Sequence, residues 1–258
     1  MEQVGNEIFL VFVTGGCEMN KEYENYIFDL YGTLVDIRTN ETKASLWKNM
    51  AHIYSMTGAV YSASELRRCY RDFCRQETAI QAVKAGCRED EAEILLDTVF
   101  EKLFMSKKVR TDKGQVYQTA IIFRSLSLCH IRLFEGVPEL FMRLKDAGKK
   151  CYLLSNAQRT FTEAEMKLLG IYESFDGILY SSDAGVKKPS VIFYHALFQK
   201  YHLQKEASVM IGNEYRADVL GACQYGIDSI HVHMDPVEER PEVLPENCRE
   251  VERVWEIF

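Results

Sequence analysis

From Val137 to Val232 short apolar runs alternate with amphipathic helical stretches, and this alternation leaves few folds open to the chain. Pro138 suits a helix start, and that helix closes at Asp146-Ala147-Gly148. Cys151-Tyr152-Leu153-Leu154 reads as a strand, Thr162 to Leu169 as a helix stopped by Gly170, and Gly177-Ile178-Leu179-Tyr180 as a second strand. Ser190 to Tyr201 is then a helix, Val209-Met210-Ile211 a strand, Tyr215 to Tyr225 a helix ended by Gly226, and Ser229 to Val232 the last strand. Strands that alternate with helices pair in parallel, with the helices covering both faces. Adding the buried run Tyr26 to Leu30 predicts a doubly wound α/β sheet.

Residues from about 38 to 133 break this rhythm. They carry almost no strand signal and show helical spacing instead: Leu46, Trp47, Met50 and Ile53; Leu66, Tyr70, Phe73 and Cys74; Leu95, Leu96, Val99, Phe100 and Leu103; Tyr117, Ala120, Ile121 and Phe123. Period and propensity agree on roughly four helices. The expected division is therefore an α/β core of 26–37 and 134–258 with an α-helical insert at 38–133. Residues 1–25 form an N-terminal extension. Its run Ile8 to Val13 is too short to span a bilayer and lacks a basic lead, so it reads as a core strand or as upstream sequence wrongly assigned to the protein. Codons for Thr14-Gly15-Gly16 can spell a ribosome-binding site, which makes Met19 an alternative start.

The net charge of −7 gives no support to a nucleic acid partner. The eight cysteines form no C-x-x-C pair and read as reduced core residues of a cytoplasmic protein. No membrane partner is expected.

Polar groups stand at the ends of the strands in order: Asp29, then Ser155-Asn156, then Lys187-Lys188-Pro189 beyond the third, then Asn213, Glu214 and Asp218. Parallel strands align their C-terminal ends on one edge, so groups more than a hundred residues apart meet in one crevice. Asp29, ending a buried strand and followed closely by Gly32-Thr33, is the candidate nucleophile. The lysine directly before Pro189, Lys188, is preferred to Lys187 as the site cation. Asp218 can also simply stabilise the start of its helix.

The four segments resemble the motifs of the haloacid dehalogenase-like hydrolases: Phe28-Asp29-Leu30-Tyr31-Gly32-Thr33-Leu34, Leu153-Leu154-Ser155-Asn156, Gly185-Val186-Lys187-Lys188-Pro189, and Ile211-Gly212-Asn213-Glu214 through Asp218 to Gly221-Ala222. By that resemblance the helical insert is a cap that closes over the site. Asp29 attacks and forms a covalent aspartyl intermediate, Ser155 holds a phosphate oxygen and Lys188 supplies fixed positive charge. The resemblance further implies Mg²⁺ at Asp29, the main-chain carbonyl of Tyr31, Asn213, Glu214 and Asp218. It places Tyr31, Thr33, Asn156 and Lys48 against a small anionic substrate. The leading reading is a Mg²⁺-dependent phosphatase of a small phosphorylated metabolite.

Two residues depart from the phosphatase pattern. Tyr31 stands where those enzymes carry an aspartate that protonates the leaving alcohol, and a phenol of reference pKa about 10 is a poor substitute at neutral pH. Asn213 stands where an aspartate usually binds metal, and offers only a neutral oxygen. Tyr31 is what 2-haloacid dehalogenases carry, which makes a metal-independent dehalogenase one alternative. Its expected arginine is Lys48 in Leu46-Trp47-Lys48, and Tyr215-Arg216-Ala217 precedes Asp218, both against dehalogenation. A non-catalytic binding or regulatory protein is the other alternative.

Outside these motifs, Arg67, Arg71 and Arg75 share a helical stripe that reads as a solvated face. His231 and His233 share one strand face, but no third ligand is visible beside them, and they read as strand-edge residues.

Overall fold

The computed structural model describes residues 21–233 and 243–258. The expectations for the run 8–13 and for Met19 lie outside them. Strand β1 (Asn25–Phe28) is buried along its whole length, because its residues face helices on both sides of the sheet. It pairs in parallel with β4 (Lys150–Ser155) on one side and β6 (Ser208–Gly212) on the other. The sheet is completed by β5 (Gly177–Tyr180), β7 (Asp228–Val232) and β8 (Cys248–Val251), in the order β5-β4-β1-β6-β7-β8. All its pairings are parallel.

Alternate residues of the strands feed two cores. Phe28, Leu153, Ile211 and Val232 pack under α5 (Val137–Asp146) and α6 (Arg159–Leu168). Ile27, Leu154 and Met210 pack under α8 (Val191–Tyr201) and α9 (Gly221–Tyr225), beyond the short helix α7 (Ser181–Ala184). This is the expected doubly wound arrangement. Four helices fill the insert: α1 (Ala44–Met56), α2 (Ala63–Ala85), α3 (Leu96–Ser106) and α4 (Lys113–Ser127). Ser62 accepts from the Glu65 amide at the start of α2 and Asp112 from that of Gln115 at the start of α4, which satisfies otherwise orphaned helix donors. The insert has its own core around Trp47, Tyr54, Phe100, Phe104 and Phe123, joined from outside by Phe161 of α6.

Three features differ from the sequence expectation. Where the insert leaves and re-enters, β2 (Val35–Thr39) and β3 (Leu128–Leu133) form an antiparallel ribbon, an element no periodicity announced because its alternation is half polar. Ser229 to Val232 is not the last strand, since β8 pairs outside it. The helix expected from Tyr215 is a π-helical turn over Tyr215–Leu220 that tightens into α9. The seven cysteines among the described residues are free, but only Cys151 and Cys248 are buried, while Cys129 and Cys223 are exposed. Among the described residues no helix is long and apolar enough to cross a membrane.

Candidate active site

The sheet order sets the position of the site. From β1 the chain steps to β4 and β5 on one side, then crosses back to β6, β7 and β8 on the other. The reversal opens a crevice beyond the C-terminal ends of β4, β1 and β6. Asp29 lies one residue past β1, Ser155 ends β4 and Asn213 follows β6. The amide of Asp29 still donates to the carbonyl of Ile211 at 2.8 Å, so the sheet itself holds its backbone.

Beyond Asp29 the chain turns sharply. The amide of Gly32 donates to Val35 and those of Leu34 and Val35 to Leu30. Gly32 has φ +85°, and a Cβ there would meet the Asn213 amide group at 2.5 Å, so glycine is required both for conformation and for space. Thr33 is fully buried and bonds Asn213 twice: its hydroxyl donates to Oδ1 and accepts from the main-chain N–H, each at 3.0 Å. The resemblance put Thr33 against substrate; with its hydroxyl committed in this way it positions the fourth motif instead.

Lys188 is the centre of the cluster. Its ammonium donates to Oδ1 of Asp29 at 2.7 Å and to Oδ1 of Asp218 at 2.6 Å, with only 1% of the lysine side chain exposed. Asn156 clamps the lysine main chain, accepting from its N–H at 2.8 Å and donating to its carbonyl at 3.1 Å. Asn156, expected to bind substrate, thus uses its amide to position Lys188. The hydroxyl of Ser155 donates to the same Oδ1 of Asp29 at 3.3 Å. Oδ2 of Asp29 makes no hydrogen bond among the described residues.

Asp218 is held in the π-helical turn. Its amide donates to the Glu214 carbonyl and its Oδ2 accepts from the Glu214 amide. A Cβ on Gly212 would meet the Asp218 carboxylate at 2.1 Å, so the end of β6 must be glycine for this packing. Burial pushes Asp218 up to about 7, against the pull of the Lys188 ammonium, and the Asp29 carboxylate pushes the same way. Burial works to lower Lys188, but Asp218 and Asp29 more than offset it and hold the ammonium charged.

Two carboxylates around one ammonium leave a formal charge of −1 in a buried site. That surplus and the hard oxygen donors together fit a divalent cation such as Mg²⁺. Asp29 and Asp218 are the residues that would hold it. Two of the other expected ligands, Asn213 and Glu214, are turned to other partners. Oδ1 of Asn213 accepts from Thr33, and the exposed Glu214 touches Asp218 only through its main chain. Lys48 is exposed on α1 and neither hydrogen-bonded nor ion-paired to any of these residues. A cleft of about 330 Å³ opens on Lys188 between Asp90, Glu93, Asn156, Glu214 and Arg216.

Tyr31 belongs to a separate network that sequence reasoning missed. Its phenol hydrogen-bonds Glu165 and lies 3.0 Å from the hydroxyl of Thr162, both on α6. Glu165 in turn is gripped by Arg124 of α4, through Nε at 2.6 Å and Nη2 at 3.2 Å. Burial and then the Glu165 carboxylate raise the phenol well above its usual range. Tyr31 therefore keeps its proton and gives its hydrogen bond to the joint between insert and core. The one available signal was a lone arginine following the apolar run Ile121-Ile122-Phe123.

The sequence profile of the haloacid dehalogenase-like hydrolases matches residues 23–226. A glyceraldehyde 3-phosphate phosphatase of Methanothermobacter thermautotrophicus is 25% identical over 131 residues, 51% of this chain and 58% of that protein. The chain thus matches little more than half the length of that relative. Among solved structures, a magnesium-bound form of YfnB from Bacillus subtilis superposes with a TM-score of 0.53 at 19% identity, covering 92% of this chain and 97% of the other. A 2-haloacid dehalogenase of Pseudomonas syringae pv. tomato gives 0.62 at 15% identity, covering 91% and 96%. At these identities the structural likeness establishes the fold.

Proposed function

The chain belongs to the haloacid dehalogenase-like hydrolases, and from that premise we propose that it is a Mg²⁺-dependent phosphatase of a small phosphorylated metabolite, working through an aspartyl-phosphate on Asp29. The observation that carries this reading is the division of labour at Asp29: Oδ1 is fixed by Lys188 and Ser155, and Oδ2 is left for attack. Oδ2 bonds to phosphorus, the ester P–O bond breaks, and water later releases phosphate from Asp29. Lys188 and Ser155 offset the negative charge that gathers as two anions meet. Mg²⁺, when bound at Asp29 and Asp218, supplies the further positive charge that phosphoryl transfer draws on. Helices α1 to α4 serve as the cap over the crevice.

The phenol of Tyr31 is committed to Glu165, so the leaving oxygen takes its proton from solvent. Rates then rise steeply as the leaving-group pKa falls, and Tyr31→Asp raises turnover of alkyl phosphates, general acid help being worth on the order of a hundredfold or more. Tyr31 also supports a second reading, a metal-independent 2-haloacid dehalogenase, whose halide needs no proton. The exposed Lys48 and the buried surplus of carboxylate weigh against it. A panel of phosphate esters and 2-chloropropionate, run in Mg²⁺ and in EDTA, tests both. Phosphate release that EDTA abolishes supports the proposal, and chloride release in EDTA overturns it. No turnover of either class, with no Mg²⁺-dependent trapping of beryllium fluoride, overturns both and leaves a binding protein.

A further inference from the structure

His231 on β7 and His233, one residue past its end, lie on one face, and the parallel strand β8 sets Glu250 directly opposite His231. One ligand atom from each of the three lies within 4.8 Å of the other two. None of the three residues belongs to the Asp29 cluster. Both histidines are buried, with 2% and 8% of their surfaces exposed. They are not strand-edge residues, because β8 covers β7 on its outer side.

The hydrogen bonds fix how the rings can be used. Nε2 of His231 lies 3.0 Å from the main-chain carbonyl oxygen of Asn213. A carbonyl only accepts, so that nitrogen carries a proton. Nδ1 of the same ring faces Oε1 of Glu250 at 3.1 Å. In the neutral ring this brings a nitrogen lone pair against a carboxylate oxygen, a repulsive contact that a proton or a metal ion between them relieves. Two residues along the chain, Nδ1 of His233 is buried without a hydrogen-bond partner. A buried ring nitrogen left unpaired next to a lone pair and a carboxylate marks a place where a metal ion satisfies all three.

We propose that His231, His233 and Glu250 bind a divalent transition-metal ion of the zinc class, in a structural site separate from the Asp29 centre. Two imidazoles and a carboxylate are donors that Zn²⁺ takes readily, whereas Mg²⁺ prefers oxygen ligands and water. A tetrahedral zinc with bonds of about 2.0–2.1 Å holds its ligand atoms roughly 3.3 Å apart, close to the His231–Glu250 contact. The hydrogen bond from Nε2 of His231 to the Asn213 carbonyl fixes the ring with Nδ1 toward the ion. The ion would pin β8 to β7, and through Asn213 it would brace the loop that carries Asp218.

The test uses the full chain stripped by a chelator, titrated with Zn²⁺ against a chromophoric competitor in excess Mg²⁺, which occupies the Asp29 centre. One Zn²⁺ per chain is expected, and Co²⁺ in its place is expected to show the visible absorption of a four-coordinate ion. Glu250→Gln, nearly isosteric, and His233→Ala each weaken binding by at least about tenfold, while Asp29→Asn leaves it unchanged. Circular dichroism confirms that each variant is folded. Absence of stoichiometric Zn²⁺ binding by the wild-type chain overturns the proposal, as does equal binding by Glu250→Gln and His233→Ala. A ¹H–¹⁵N spectrum in which His231 carries protons on both nitrogens and does not respond to Zn²⁺ also overturns it, since a proton then fills the gap.

Discussion

Replacing Lys188 by methionine removes the ammonium and keeps most of the aliphatic stem, so the cluster's electrostatics can be tested with little change in packing. The two carboxylate oxygens both touch the ammonium, at 2.7 and 2.6 Å, and so lie no more than about 5.3 Å apart. At an effective dielectric of about 20, two unit charges at that distance repel by about 3 kcal/mol. Breaking a buried ion pair on one side costs about 3–5 kcal/mol, in line with this figure. The variant relieves the repulsion by keeping a proton on Asp218, and it holds that proton to higher pH than the wild type, in which burial already pushes Asp218 up to about 7. The unfolded carboxylates lose theirs near about 3.9. Where the folded state binds the extra proton, stability falls as pH rises, by up to about 1.4 kcal/mol per pH unit. Urea denaturation in EDTA at about pH 6 and about pH 9 is therefore expected to show a deficit against wild type of about 3 kcal/mol at the higher pH and a smaller one at the lower. Added Mg²⁺ restores part of it. A deficit equal at both pH values, or none at the higher, refutes the reasoning.

The remaining expectations concern the neighbours of the site. Gly212→Ala forces a Cβ into the Asp218 carboxylate, so metal-dependent turnover is lost while far-ultraviolet circular dichroism stays that of the wild type; normal turnover counts against Asp218 as a ligand. Arg124→Met strands the buried Glu165 carboxylate and costs about 3 kcal/mol in urea denaturation. Adding Glu165→Gln recovers part of that loss, and a strictly additive double variant rejects the coupling. Burial pushes Glu93 up, where it accepts from Ser181 and Gln158 at the joint between insert and core. Its folded form keeps a proton above the unfolded value of about 4.3, so its contribution to stability declines as pH rises past that point. Glu93→Gln removes this dependence, and its melting temperature gains on wild type between about pH 4 and about pH 7; parallel profiles reject it.

The layering follows from the order of residues alone. The spacing of apolar residues dictates which faces must be buried, and alternation of strand and helix then forces a parallel sheet with Asp29, Ser155 and Lys188 at one edge. That Lys188 rather than Lys187 reaches the nucleophile was readable only through resemblance. What each polar group is committed to depends on the folded chain. Thr33 and Asn156 turn to main chain and to Asn213 because buried donors and acceptors must pair with whatever the fold brings within reach. Tyr31 meets Glu165 and Arg124 across about a hundred residues, and no local pattern encodes that pairing. β8 was invisible because four residues with a charged centre carry no periodic signal, and without β8 the third member of the His231, His233 and Glu250 cluster could not be seen. Periodicity records side-chain apolarity, which each residue carries by itself; hydrogen bonds and ligand sets are properties of pairs, and pairs exist only after the chain has folded.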